Sequence, residues 1–300
     1  MFAGSLVAIV TPMRPDGAVD FEAWARLLEF HAANGTQGVV VGGSTGESAT
    51  LRDAELRELA TRACEQLRGR ALVIAGAGTS STATTLERVR WLSELAVDAM
   101  LLVTPPYNRP PQEGLYLHFA AAAAASSKPI LLYNVPARTA VDMQPATVAR
   151  LARVAGIAGI KEAVPEAARV RELVDSCPRD FVVLSGDDLT AHEAIAAGAR
   201  GVISVTANVA PRAMSQMVAA ALRGEGARAA QLDARLGALH RELFVEANPI
   251  PAKWTLAQMG LMGPALRLPL TQLSEAHHAG LREAARGAGV PQACGGLATL

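Results

Sequence analysis

A lysine closes the apolar run Gly156-Ile157-Ala158-Gly159-Ile160-Lys161, and lysine is rare in this chain. Lys128, Lys161 and Lys253 are the only three; every other side chain of fixed positive charge is an arginine. Arginine keeps its charge in any protein environment, whereas a buried lysine amine can shed its proton and attack a carbonyl. Lys161 therefore has the type and the place of a Schiff-base nucleophile. The competing reading is a strand-end lysine that reaches solvent along its own methylenes. A lysine of the first kind condenses with a ketone to an iminium and opens a route to an enamine carbon nucleophile. Tyr133 closes another apolar run, and its phenol can shuttle protons as a carbinolamine collapses. Gly42-Gly43-Ser44-Thr45-Gly46-Glu47 combines closely spaced amide N–H groups with two hydroxyls, a set suited to a carboxylate. Alone, it would read as a tight turn.

Other chemistries are poorly supplied. The 42–47 turn lacks the lysine-containing pattern of a nucleotide loop, and Gly76-Ala77-Gly78 lacks the last glycine of a dinucleotide fingerprint. The six histidines show no paired ligand spacing, which argues against a catalytic metal, and most are expected on helix surfaces. Asp187-Asp188 reads as a cap for the following helix. Cys64, Cys177 and Cys294 are scattered and odd in number, as in a reduced cytoplasmic protein; the first two read as small fillers in or near the core. A formal net charge of zero, with no long run of either sign, argues against nucleic acid or an anionic membrane as partner. The start has no basic region before its apolar residues, and no apolar stretch is long enough to span a bilayer, so neither signal nor membrane segment is expected.

These residues need elements to carry them. Eight short runs rich in Val, Ile and Leu fall at 7–12, 38–43, 71–76, 99–104, 129–133, 157–161, 181–185 and 201–206. They are apolar at nearly every position, the mark of parallel strands buried on both faces. Helical patterns lie between them, at 20–34, 52–67, 82–95 and 112–126 among others; Asp20 is placed to cap the first and Gly35 follows its end. Eight such units predict a closed (β/α)8 TIM barrel over residues 1–224, with an open doubly wound sheet as the competing architecture. After residue 224 the strand signal stops. Helical patterns at 227–244, 250–261 and 271–288 predict a C-terminal helical region over 225–300, with a frayed tail from 289.

In such a barrel, chemistry gathers past the C-terminal ends of the strands. That rim collects Thr11, the 42–47 turn, Tyr107, Tyr133, Arg138, Lys161, Gly186 and Thr206. Lys128 precedes its strand, on the opposite face, and Lys253 falls in the C-terminal region. Only Lys161 is placed for chemistry.

The motifs Val-Gly-Gly-Ser-Thr-Gly-Glu-Ser, Thr-Pro-Pro-Tyr-Asn-Arg-Pro, Tyr-Asn-Val-Pro-Ala-Arg-Thr, Gly-Ile-Lys-Glu-Ala, Leu-Ser-Gly-Asp-Asp and Phe-Val-Glu-Ala-Asn-Pro-Ile-Pro, in this order, resemble the dihydrodipicolinate synthase family. The likeness runs from Met1 to about Gly289. It implies a class I pyruvate aldolase that condenses pyruvate with L-aspartate-4-semialdehyde on the way to diaminopimelate and lysine. The lysine itself acts as electron sink, so no cofactor is implied. Carried over by position, Lys161 is the Schiff-base lysine and Tyr133 the proton-relay tyrosine. Ser44 and Thr45 hold the pyruvate carboxylate and join the relay. Tyr107 reaches a neighbouring subunit's site, in a homotetramer built as a dimer of dimers. Arg138 binds the aldehyde's carboxylate, while Gly186 and Ile203 line the pocket with backbone. Sugar-acid aldolases of the wider superfamily share the lysine and tyrosine but usually lack that arginine, so the acceptor class turns on Arg138.

Three departures stand out. Ser44 replaces a more usual threonine, and Ala140 stands where glycine often follows Arg-Thr. The positions matching the family's lysine-effector site are Asp53, Leu56, Ser80, Thr84 and Pro106, without the glutamate and the tyrosine phenol that would hold lysine. Feedback inhibition by lysine is therefore expected to be weak or absent.

Overall fold

The computed structural model describes residues 2–291. Eight parallel strands close into one barrel in sequence order: β1 Gly4–Ala8, β2 Gly38–Val41, β3 Leu72–Gly76, β4 Ala99–Val103, β5 Ile130–Asn134, β6 Ile157–Glu162, β7 Val182–Ser185 and β8 Gly201–Ser204, with β8 pairing back onto β1. The continuous apolar runs have the expected cause. Alternate strand residues fill two separate layers, and both are buried and apolar. Leu6, Val40, Ile74, Leu101, Leu131, Leu184 and Ile203 pack inside the barrel. Val7, Val39, Val73, Leu102, Leu132 and Val183 face outward and pack under the helices.

The first helix, Phe21–Ala33, starts where the Asp20 carboxylate accepts from the amides of Glu22 and Ala23, and Gly35 follows at φ 80°. The next three, Asp53–Gln66, Thr82–Ser93 and Gln112–Ala125, fall within the expected spans. The C-terminal region supplies Gly226–Glu242, Ile250–Gln258 and His278–Gly287.

Two expectations need correction. The first apolar run, 7–12, is not itself the strand; β1 ends at Ala8. Beyond it the Ile9 amide still donates to the Val40 carbonyl, but the Val10 amide is taken by the Asn208 side chain, so the ladder stops while burial continues. The last helix also begins later than 271. Leu273 extends the apolar spacing, yet the Ser274 amide donates to the Glu246 carboxylate, and only a single 3-10 turn at Glu275–His277 precedes the helix. Most of the tail expected to fray, from residue 292, lies outside the described residues.

Candidate active site

The site is built from the ends of β5 and β6. Tyr133 pairs with Lys161 in register, and a shift of register between Ile130 and Leu131 sets the parity. It turns Ile160 outward and Gly159 and Lys161 inward, so the amine enters the barrel beside the phenol. The Lys161 amine lies 4.3 Å from the centre of the Tyr133 ring, and the two residues are only 4% and 7% exposed. Gly186 follows β7 at the same level. A Cβ there would stand 2.9 Å from Lys161 Cε, so a glycine makes room for the lysine stem. Ile203 on β8 is fully buried in the inner layer that also holds Tyr133.

The 42–47 turn closes over the neighbouring strand ends. Ser44 and Tyr133 line one small cavity together with Gly42, Gly43, Gly76 and Val103. Gly76 explains the dinucleotide look-alike: a Cβ on it would lie 2.2 Å from the Gly42 carbonyl oxygen. Its lack of a side chain lets β3 pass beneath the turn. Thr45 is buried, and its hydroxyl oxygen accepts from Asn248 Nδ2 at 2.9 Å. The Thr11 hydroxyl donates to the Gly46 carbonyl at 2.7 Å and ties the turn to the end of β1.

Arg138 sits on the single helical turn Pro136–Thr139, which starts with proline at its first position. Ala140 ends that turn in the left-handed conformation at φ 58°, the geometry that makes glycine common at such a place. An Arg138 Nη2–H donates to the Asn248 carbonyl at 3.2 Å. Tyr107 is not brought to this cluster. It is 93% exposed on the loop after β4, with φ 74°.

Position along the sequence concealed several contributors. Lys253, assigned only to the C-terminal region, is fully buried and donates to Glu47 Oε1 at 2.5 Å, at the end of the carboxylate-suited turn. Burial lowers its ammonium below the usual lysine range, and the Glu47 charge opposes that shift. The second Glu47 oxygen accepts the Arg267 amide at 3.1 Å. Asn248 bridges Thr45 and Arg138 from 203 and 110 residues away. The only forewarning was that Phe-Val-Glu-Ala-Asn-Pro-Ile-Pro belongs to the resemblance.

The histidine expectation is corrected as well. His31, His118 and His240 are buried, each with Nδ1 at a threonine hydroxyl: Thr36, Thr82 and Thr206. Asp187 accepts from Thr190 at the start of the next helix, but Asp188 instead receives the amides of Val205 and Thr206 at the end of β8. Cys64 is buried and Cys177 partly so, as fillers would be, and burial pushes the Cys64 thiol up to about 11. At the positions matched to an effector site, Asp53 is ion-paired with Arg88 and Leu56 is buried against Gly42. Among the described residues no three His, Cys, Asp or Glu side chains converge as a metal site requires. No helix among them is long and apolar enough to cross a membrane.

Residues 1–287 match the model of the dihydrodipicolinate synthetase family. The 4-hydroxy-tetrahydrodipicolinate synthase of Alkalilimnicola ehrlichii is 54% identical over 289 residues, covering 96% of this chain and 99% of that one. The enzyme of the same name from Ectopseudomonas mendocina is 53% identical, covering 97% and 99%. Among solved structures, the chloride-inhibited dihydrodipicolinate synthase of Acinetobacter baumannii, complexed with pyruvate, superposes with a TM-score of 0.95. It is 44% identical over 97% of this chain and 100% of that one.

Proposed function

The chain belongs to the dihydrodipicolinate synthetase family, and from that premise we infer that it is a class I aldolase-type synthase that condenses pyruvate with L-aspartate-4-semialdehyde. This is the reaction of a 4-hydroxy-tetrahydrodipicolinate synthase, a lyase of the diaminopimelate route to lysine. The observation that carries the reading is the Lys161 amine 4.3 Å from the Tyr133 ring centre, both buried at the ends of adjacent strands.

The chemistry follows from the groups present. The Lys161 amine adds to the pyruvate ketone, and the carbinolamine loses water to give an iminium. Tyr133 moves the protons of that step, with the Ser44 hydroxyl beside it in the same cavity. Loss of a methyl proton turns the iminium into an enamine, whose carbon attacks the aldehyde. The 42–47 turn offers amides and the Thr45 hydroxyl to the pyruvate carboxylate. Arg138, a two-pronged donor, takes the carboxylate of the aldehyde, and Gly186 and Ile203 shape the wall. That arginine favours a carboxylated aldehyde over a polyhydroxylated sugar acid as acceptor. We place the protein in the cytoplasm and assign it to a homotetramer. The exposed Tyr107 supports the assembly, since its phenol needs a neighbouring chain to have a function in catalysis.

Borohydride reduction in the presence of pyruvate, followed by peptide mass mapping, tests the core of this reading. A reduced pyruvyl adduct on Lys161 is the expected outcome. Folded protein that stays unmodified, or a label on Lys128 or Lys253 instead, would overturn the mechanism.

A further inference from the structure

Behind the site, on the outer face of the same two strand ends, lies a buried polar cluster that the reaction does not use. Asn134 follows Tyr133 and Glu162 follows Lys161, so the parity that turns the amine and phenol inward turns these two outward, still paired in register. Asn134 Nδ2 donates to both Glu162 oxygens, at 3.0 and 3.1 Å, and to Asp142 Oδ1 at 2.7 Å. Asn134 Oδ1 accepts the Met143 amide at 3.0 Å, and Glu162 Oε1 accepts the Val164 amide at 2.9 Å. Arg169, from the helix Ala167–Ser176, donates to Asp142 at 2.7 Å and approaches Glu162 at 4.0 Å. Glu162 and Asn134 are 1% and 0% exposed.

We propose that Glu162 is a positioning residue for the reaction: with Asn134, Asp142 and Arg169 it clamps together the strand ends and the loop that carry Lys161, Tyr133 and Arg138. Each of the three attachment points has its own link. The Val164 bond fixes the chain just past Lys161. The Asn134 bonds lock β6 to β5 one residue beyond Tyr133. Through Asn134, Asp142 and Met143 the clamp also holds the segment that leaves the Arg138 turn. The inference rests on the Schiff-base reading above and deepens it.

The clamp works through acceptors. Both Glu162 oxygens receive N–H donors, and none of its hydrogen bonds needs it to donate, so the carboxylate is the form that fits. Burial nevertheless pushes its carboxyl up to about 7, against the pull of Val164, Asn134 and Arg169. The charged groups that face it are Asp142, from the segment after the Arg138 turn, and Arg169, from the helix behind; Lys161 on its own strand points to the other side of the sheet. Burial would also raise Asp142, but Arg169 and Asn134 hold it below the usual carboxylate range, so it stays an anion across the working range. As pH falls through about 7, Glu162 gains a proton, the oxygen that carries it turns from acceptor to donor among the N–H groups it now receives, and its attraction to Arg169 is lost. The clamp is tight above that value and slack below it.

The test compares the full-length wild-type protein with Glu162→Gln and Arg169→Met. It follows turnover of both substrates from about pH 6 to about pH 9, with borohydride trapping of pyruvate on each. Glutamine cannot ionise, and its amide sets a donor against either Asn134 or the Val164 N–H. Glu162→Gln should still be trapped on Lys161 but lose about tenfold in kcat at the alkaline plateau. The wild-type inflection near 7 should disappear from its profile. Arg169→Met removes the facing cation and leaves Asp142, so that inflection should move to higher pH. This second shift decides the matter even where Glu162→Gln does not fold. A Glu162→Gln profile parallel to wild type, or an inflection unmoved by Arg169→Met, would reduce the cluster to scaffolding and overturn the proposal. Wild-type protein that is not trapped at all would overturn the Schiff-base reading, and this role with it.

Discussion

At the scale of single residues, Ser44 is the sharpest departure from the pattern that the rest of the site follows. It keeps the hydroxyl of the more usual threonine and loses the methyl that narrows χ1. The neighbouring Thr45 is buried with its oxygen accepting from Asn248, and it keeps its O–H for the pyruvate carboxylate. Ser44, by contrast, lines the cavity shared with Tyr133. Its hydroxyl is therefore the one placed beside the Tyr133 phenol to pass a proton. Ser44→Ala is expected to lower kcat by about a hundredfold, the usual worth of one positioned proton-transfer group. Pyruvate trapping on Lys161 should survive. Steady-state kinetics beside trapping checks this, and full turnover would remove Ser44 from the relay. Lys161 itself was legible because a lone lysine at the tip of an apolar strand is chemically conspicuous. Glu162, one residue on, was not: its importance lies in the parity set by a register shift and in partners from three segments.

At the scale of elements, the closed barrel could be read from eight double-faced apolar runs, although the end of the first strand could not, since burial continues past the ladder there. What could not be read is how the C-terminal helices enter the site. Lys253 is 206 residues from Glu47, and no periodicity reports a pairing at that distance. Its helix, Ile250–Gln258, is buried almost throughout, so amphipathic patterning offers no face to assign. The histidines were misplaced for a similar reason. A helical His31 looks like surface until Thr36 supplies a buried hydroxyl. The Lys253–Glu47 pair makes a definite demand on stability. Glu47 holds φ 57°, a left-handed backbone that a glutamate adopts at some cost, and its two oxygens are met by Lys253 and the Arg267 amide. Lys253→Met leaves that carboxylate buried with half its partners. Denaturant unfolding should show a loss of about 3–5 kcal/mol, whereas adding Glu47→Gln should restore part of it. Equal and additive losses would mean that the two side chains act independently.

At the scale of the whole molecule, the proposed tetramer makes the site of one chain depend on Tyr107 of another. Lys161, Tyr133, Ser44, Thr45 and Arg138 converge, while Tyr107 stands 93% exposed on a loop with φ 74°. A large aromatic side chain left in water on a left-handed residue gains nothing from the fold of its own chain. In the proposed tetramer, contact with a second copy would cover the exposed side chain. If Tyr107 completes a neighbour's relay, two defective chains should repair one another. Chains carrying Lys161→Ala have no nucleophile but donate a normal Tyr107. Chains carrying Tyr107→Phe keep the nucleophile and need the phenol from next door. Neither homomeric variant should turn over at more than a small fraction of the wild-type rate. Random reassembly in equal amounts makes half of the pairs mixed, each with one complete site of two, so about a quarter of wild-type activity should return. Activity after co-refolding, measured against the unmixed variants under the same treatment, reads the outcome. A mixture no more active than the mean of its components would mean that Tyr107 does not serve across the interface, and the relay would then have to close within a single chain through Ser44 and Tyr133.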